Sequence, residues 1–280
     1  MEDPDGMPDI QNRMDDREIP IDQAGVSDLR YPIVVLDRDR ERQHTLARVT
    51  MSVGLPHHFK GTHLSRFVEV LNEHRGEVTV RTLPGILRAL TSRLDADRAR
   101  IELVFPYFVE RAAPVSGAKA LMDYECSFVA ESNGLGDDFV LGVSVPVTTL
   151  CPCSKAISDY GAHNQRAIVS IEVRSRRDAS GPVIIWIEEL IDIAERSGSG
   201  PVYPLLKRPD ERHVTMLAYD NPVFVEDAVR NAAERLQADP RVDWFRVGCV
   251  SQESIHNHSA FARIEWSRPS DPPTPGRGGS

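Results

Sequence analysis

One order of elements, read twice along the chain, constrains the fold more than any single motif. Apolar residues alternate in strand fashion near 44–54, and a helical stripe follows from His63 to about His74, where Leu64, Phe67, Val68 and Leu71 share one face. A second helix is expected over Leu83–Leu94, then strands near 100–111 and 119–131. After the turn signature Asn133-Gly134 with Gly136 the order repeats. Strands are expected near 139–149 and 166–175, helices over 183–196 and Pro222–Gln237, and strands near 242–251 and 259–266. The last helix carries Asn221 at the cap position, Pro222 at the first helical position, and Val225, Ala228, Val229, Ala232 and Leu236 on one stripe. The reading is an α+β fold of two tandem units, 31–132 and 133–266, each an antiparallel sheet with a helix pair on one face. The halves share a plan rather than a sequence. Residues 1–30, acidic and without periodicity, and 267–280, rich in Ser, Pro, Gly and Arg, are expected to be disordered.

With 280 residues, 41% of them hydrophobic, the chain can bury a substantial core. Its 33 Lys plus Arg against 42 Asp plus Glu give a net charge of −9, which excludes an overall basic footprint for nucleic acid. A nucleotide site would have to be local. The N-terminus does not read as a secretory signal, and no segment approaches the roughly 20 apolar residues of a membrane helix. A cytoplasmic location is expected, with no membrane partner. Cys126 and Cys249 lie in apolar runs and are expected to be packed and reduced.

Four polar segments could carry chemistry. Cys151-Pro152-Cys153-Ser154-Lys155 leads into Tyr160-Gly161-Ala162-His163-Asn164-Gln165-Arg166, and a strand end plus a loop can bring Cys151 and His163 together as soft ligands for a zinc-like ion. Two partly buried cysteines and a surface histidine are the bland alternative. Val202 to Glu211 holds two prolines and four charges and reads as a loop, in which Lys207 and Arg208 can hold a triphosphate and Glu211 can supply a carboxylate ligand; on these residues alone a solvated charge run is the stronger reading. Glu226 sits in the first turns of the helix at 222, where Asp227 serves the helix dipole and Glu226 can pair with the two N–H donors of a guanine edge. In Ser251 to Ser259, His256 and His258 point to one side if the chain is extended, next to Glu253; an exposed polar hairpin turn is the alternative.

Taken together, these segments resemble the type IB GTP cyclohydrolases, the prokaryotic GTP cyclohydrolase family of the tunnelling fold. The resemblance covers most of the chain from about Lys60 and rests on Gly61-Thr62-His63-Leu64-Ser65-Arg66-Phe67, Cys151 to Lys155, Gly161 to Arg166, Tyr203 to Glu211, Asn221 to Arg230 and Glu253 to His258. It implies a bimodular tunnelling fold whose subunits close a barrel, with active sites between neighbours of a homo-oligomer, expected to be a tetramer. It also implies hydrolysis of GTP to 7,8-dihydroneopterin triphosphate and formate with one divalent ion per site, whether zinc, manganese or iron. The metal ligands fall on Cys151, His163 and Glu211 with His256 close to the ion, and Glu226 anchors the purine. Cys153, Glu253 and His258 line the site, with His256 or His258 protonating the departing ring nitrogen and Cys153 or Glu253 relaying protons.

Family members usually carry a small-residue stretch with a cysteine before the tyrosine. Here it reads Ser197-Gly198-Ser199-Gly200, which bears on phosphate contacts and not on the ligands. The alternatives are an archaeal-type relative that releases a cyclic phosphate, a nitrile-reducing relative on the same fold, and a non-catalytic protein with a structural metal site closed by four protein ligands.

Overall fold

The computed structural model describes residues 10–269 except 12, 75–77, 135 and 180. In chain order the elements are β1 (Ile21–Asp37), β2 (Glu41–Leu55), α1 (Leu64–Glu73), α2 (Leu83–Leu94), β3 (Ala99–Ala112), β4 (Lys119–Ser132) and β5 (Asp137–Leu150). There follow α3 (Pro152–Ile157), β6 (Asn164–Ser175), the two-residue strands β7 (Arg177–Asp178) and β8 (Gly181–Pro182), and α4 (Ile187–Glu195). The chain then forms β9 (Gly200–Pro201), α5 (Arg208–Asp220), α6 (Val225–Ala238), β10 (Val242–Ser251) and β11 (Ala260–Ser267).

The expected α+β architecture holds. One antiparallel sheet runs β1-β2-β3-β4-β5-β6-β10-β11, with β9 paired to β5 and a separate β7–β8 ribbon. Each half contributes two hairpins separated in sequence by helices, and the β4–β5 connection joins the halves at the middle of the sheet. Along β3, Ile101, Leu103, Phe105 and Tyr107 are buried while their neighbours Pro106 and Phe108 are exposed, the alternation of a sheet covered on one face. Phe67, Leu71, Leu87 and Leu90 from the first helix pair, and Leu190, Ile191, Val229 and Leu236 from α4 and α6, complete one continuous core. No helix among the described residues is long and apolar enough to cross a membrane.

Four expectations are corrected. Residues 21–30 are not disordered but open β1, an edge strand in which Pro32 costs little and where register shifts near Ile21/Ala24 and Val26/Leu29 break the periodicity. At the other end, Ser267 closes β11 and the Arg268 guanidinium donates to the backbone oxygens of Val242 (2.9 Å) and Asp239 (2.8 Å). The expected disorder of 1–9 and 270–280 lies outside the described residues. The segment read as a loop up to Glu211 becomes helical at Arg208, because Pro209 falls in the first turn, where its missing N–H is no loss. Helices α4 and α6 begin later than expected, at Ile187 and Val225; Asn221 ends α5 rather than capping α6.

Candidate active site

The core-facing row of β5, β6 and β10 turns polar where these strands meet the start of α6. There a cleft of about 280 Å³ is lined by Cys151, His163, Glu226, Glu253, His256 and His258, together with Thr149, Gln165, Val223, Phe224, Val225 and Ala260. Strand pairing places the first two. Leu150 opposes Asn164, so the residues just beyond are brought face to face, and the Cys151 N–H donates to the His163 carbonyl at 3.1 Å. Cys151 also caps α3, its sulfur accepting the Ser154 N–H at 3.4 Å, while Ser154 Oγ accepts the His163 N–H at 3.3 Å.

A part-buried polar network holds the floor. His163 Nδ1 lies 2.9 Å from Gln165 Oε1 and 3.8 Å from Glu253 Oε2. Gln165 Nε2 donates to Thr149 Oγ1 (3.1 Å) and Glu253 Oε1 (3.4 Å), and Thr149 Oγ1 meets Ser251 Oγ at 3.1 Å. The roof is α6, anchored by the Val223 N–H donating to the Leu150 carbonyl at 3.1 Å. Asp227 serves the helix start, accepting the Phe224 N–H at 3.3 Å and pairing with Arg230 at 3.2 Å. Glu226, exposed at the cleft, makes neither contact. His256 and His258 lie in a turn rather than in extended chain, yet their rings stack 5.0 Å apart at 19°. No Lys or Arg is among the residues lining this cleft. Beneath it, burial pushes the Cys249 thiol up to about 12, with the negative charges of Glu226 and Glu253 adding to the rise.

Cys153 is exposed on α3 and does not line the cleft; nor do Lys207, Arg208 and Glu211, exposed at the start of α5. That helix start is fixed by a residue the sequence did not single out. Asp210, fully buried, accepts hydrogen bonds from Val115 N, Ser116 N, Ser116 Oγ and Lys207 N, all within 2.8 Å, tying the β3–β4 turn of the first half to α5. Burial alone would raise its carboxyl, but these hydrogen bonds outweigh burial and hold it well below the usual carboxylate range. A depressed carboxylate stabilises the fold at every pH above its unfolded value of about 4, and the gain is lost as pH falls from there toward the folded value. Asp210→Asn is therefore expected to lower the melting temperature by several degrees at neutral pH, with the gap to the parent closing below about pH 4. A gap independent of pH would show that charge plays no part in the clamp.

The Ser197–Gly200 stretch is buried behind the site. Ser197 Oγ donates to Ile193 O (2.7 Å), Ser199 Oγ accepts the Leu150 N–H (3.0 Å), and Asn221 Nδ2 donates to Gly198 O (3.1 Å). A Cβ at Gly198 would sit 2.9 Å from Thr148 O and 2.8 Å from Val147 Cγ2, so only glycine fits. Both serine hydroxyls are thus engaged by the protein. Gln165 and Thr149, missed at sequence level, each lie two positions from a predicted ligand, but Cys151 and His163 stand just beyond the strand ends and share no strand face with them.

The family model for type I GTP cyclohydrolase folE2 matches residues 7–262. The chain belongs to this family. It is 54% identical over 263 residues to the GTP cyclohydrolase FolE2 of Syntrophotalea carbinolica, covering 93% of this chain and 95% of that one. The FolE2 of Citrifermentans bemidjiense is 55% identical over 264 residues, covering 94% and 96%. Among solved structures, Bacillus sp. TB-90 urate oxidase superposes with a TM-score of 0.52 at 8% identity, covering 89% of this chain and 100% of that chain. Arthrobacter globiformis uricase gives 0.50 at 11% identity, covering 90% and 96%. At such identities the likeness concerns architecture alone, and the architecture is the tunnelling fold. The archaeal-type, nitrile-reducing and structural-metal alternatives gain no support from these FolE2 relatives.

Proposed function

We propose that the protein converts GTP and water to 7,8-dihydroneopterin 3'-triphosphate and formate, the first step of tetrahydrofolate and pterin biosynthesis. The observation that carries this reading is the convergence of Cys151, His163, Glu226, Glu253, His256 and His258 on one cleft in a FolE2-family chain. At about 280 Å³ the cleft lies just below the roughly 300–1,000 Å³ usual for ligand pockets. That suits the guanine base, with the triphosphate outside, where Lys207 and Arg208 are assigned to it.

The donor chemistry fits a divalent ion. Cys151 offers sulfur, and His163, with Nδ1 engaged by Gln165 at 2.9 Å, keeps Nε2 for a ligand bond. Among the described residues no three His, Cys, Asp or Glu side chains stand close enough together to hold an ion. The third ligand, Glu211, is therefore assigned on the family resemblance, with His256 close to the ion, which is zinc, manganese or iron. Such an ion supplies the Lewis acidity that makes water nucleophilic near neutral pH. Glu226 pairs with the guanine N–H donors. His256 or His258, both at the cleft, delivers a proton to the departing ring nitrogen. Glu253, also at the cleft, relays protons in the later steps, with Cys153, outside the lining, the alternative relay on the family resemblance alone. Mass spectrometry of the product tests the reading: a linear triphosphate is expected, and a cyclic phosphate would overturn it.

The sheet has two open edges, β1 and β11, each paired on one side only among the described residues. Its uncovered face exposes Leu46, Phe108, Leu121, Val250 and Phe261. Open edges and apolar surface are managed by closure. We assign closure to identical subunits in a homotetramer, with sites at the interfaces. Activity is expected to fall as dilution dissociates the assembly in light scattering, and a fully active monomer would contradict this.

A further inference from the structure

We propose that Gln165 is the positioning residue of the cleft: it selects the tautomer of His163 that leaves the Nε2 lone pair free, and thereby sets metal affinity. The inference rests on the reading of His163 as a ligand. Its geometry comes from the polar network alone.

The amide of Gln165 has one orientation open to it. Its two polar ends face different neighbours, Glu253 Oε1 at 3.4 Å on one side and His163 Nδ1 at 2.9 Å on the other. An ionised carboxylate only accepts, so the end facing Glu253 is the NH₂. The end facing His163 is then the carbonyl oxygen, which also only accepts. Nδ1 must therefore carry the proton, and the neutral ring places its lone pair on Nε2. Glu253 Oε2, 3.8 Å from Nδ1, favours the same tautomer.

The network continues inward. Gln165 Nε2 also donates to Thr149 Oγ1 at 3.1 Å, and Thr149 Oγ1 in turn shares a hydrogen bond with Ser251 Oγ at 3.1 Å. Thr149 and Ser251 are 2% and 0% exposed, and solvent does not compete for these bonds. Turning the Gln165 amide over would set its carbonyl oxygen against the Glu253 carboxylate, acceptor against acceptor.

Two variants separate the roles. Gln165→Leu removes the acceptor for Nδ1–H. Gln165→Glu keeps an oxygen toward His163 while opposing Glu253. Nitrogen-15 NMR of metal-free full-length protein in mildly alkaline buffer reads the His163 tautomer. Chelator competition with Co²⁺ reads affinity, and the thiolate-to-cobalt charge-transfer band reports Cys151. The parent is expected to hold the Nδ1–H form. Gln165→Leu should mix the tautomers and weaken Co²⁺ binding by about 10–100-fold with the thiolate band retained at saturation, whereas Gln165→Glu should keep the Nδ1–H form. An Nε2–H tautomer in the parent, or parent-like tautomer and affinity in Gln165→Leu, would overturn the proposal. Absence of a thiolate band in the parent would instead remove the metal reading, with the tautomer result still deciding the role of Gln165.

Discussion

Replacing Cys151 or His163 with alanine is expected to cut turnover to below about one-thousandth of the parent, because in the proposed site each would supply one donor of a set with few to spare and the activation of water would depend on the ion. The two residues are locked together by the Cys151 N–H to His163 carbonyl bond at 3.1 Å, and that backbone contact survives either substitution. The variants should therefore fold and lose metal, as read by stoichiometry after dialysis beside turnover. Glu211→Ala is the discriminating member of the series. If Glu211 is the third ligand it behaves like the other two, although it lies outside the cleft lining. Stoichiometric metal and normal turnover in any of the three would strike that residue from the set.

If Glu226 holds the guanine edge as proposed, Glu226→Gln is expected to lower kcat/KM for GTP by about 100-fold, the equivalent of roughly 3 kcal/mol for a charge-assisted pair lost and a donor turned toward a donor. Asp227, not Glu226, takes the hydrogen bond from Phe224 N–H at 3.3 Å, so the substitution leaves the start of α6 intact. Asp227→Asn serves as the control, moving melting temperature more than catalysis. An unchanged specificity constant in Glu226→Gln would return Glu226 to the role of a dipole partner at a helix end.

Much of the fold was legible because the covered face of the sheet writes period two into β2–β6 and β10, and the helix stripes write a longer period between them. What was missed has physical causes. β1 is an edge strand, exposed over much of its length, with Asp28 at φ 57° in the left-handed region, so neither burial nor regular geometry imposes alternation on it. The start of α5 was hidden by Pro209 and its charges, which a first helical turn tolerates and a loop also favours. In the site, Cys, His and Glu announced themselves by chemistry. Gln165, Thr149 and Ser251 are neutral polar residues near strand ends, and their roles depend on pairings such as Thr149 opposite Gln165, which no local pattern encodes. Asp210 is a further case: its partners Val115 and Ser116 are some 95 residues away.

The central claim, ring opening of GTP in the cleft between β5 and α6, is tested most directly with GTP carrying carbon-13 at C8 of guanine. Metal-replete protein should release labelled formate in step with a pterin that fluoresces after oxidation, one for one, and Cys151→Ala should release neither. Absence of labelled formate from the parent, or its release at equal rates by parent and Cys151→Ala, would contradict the account.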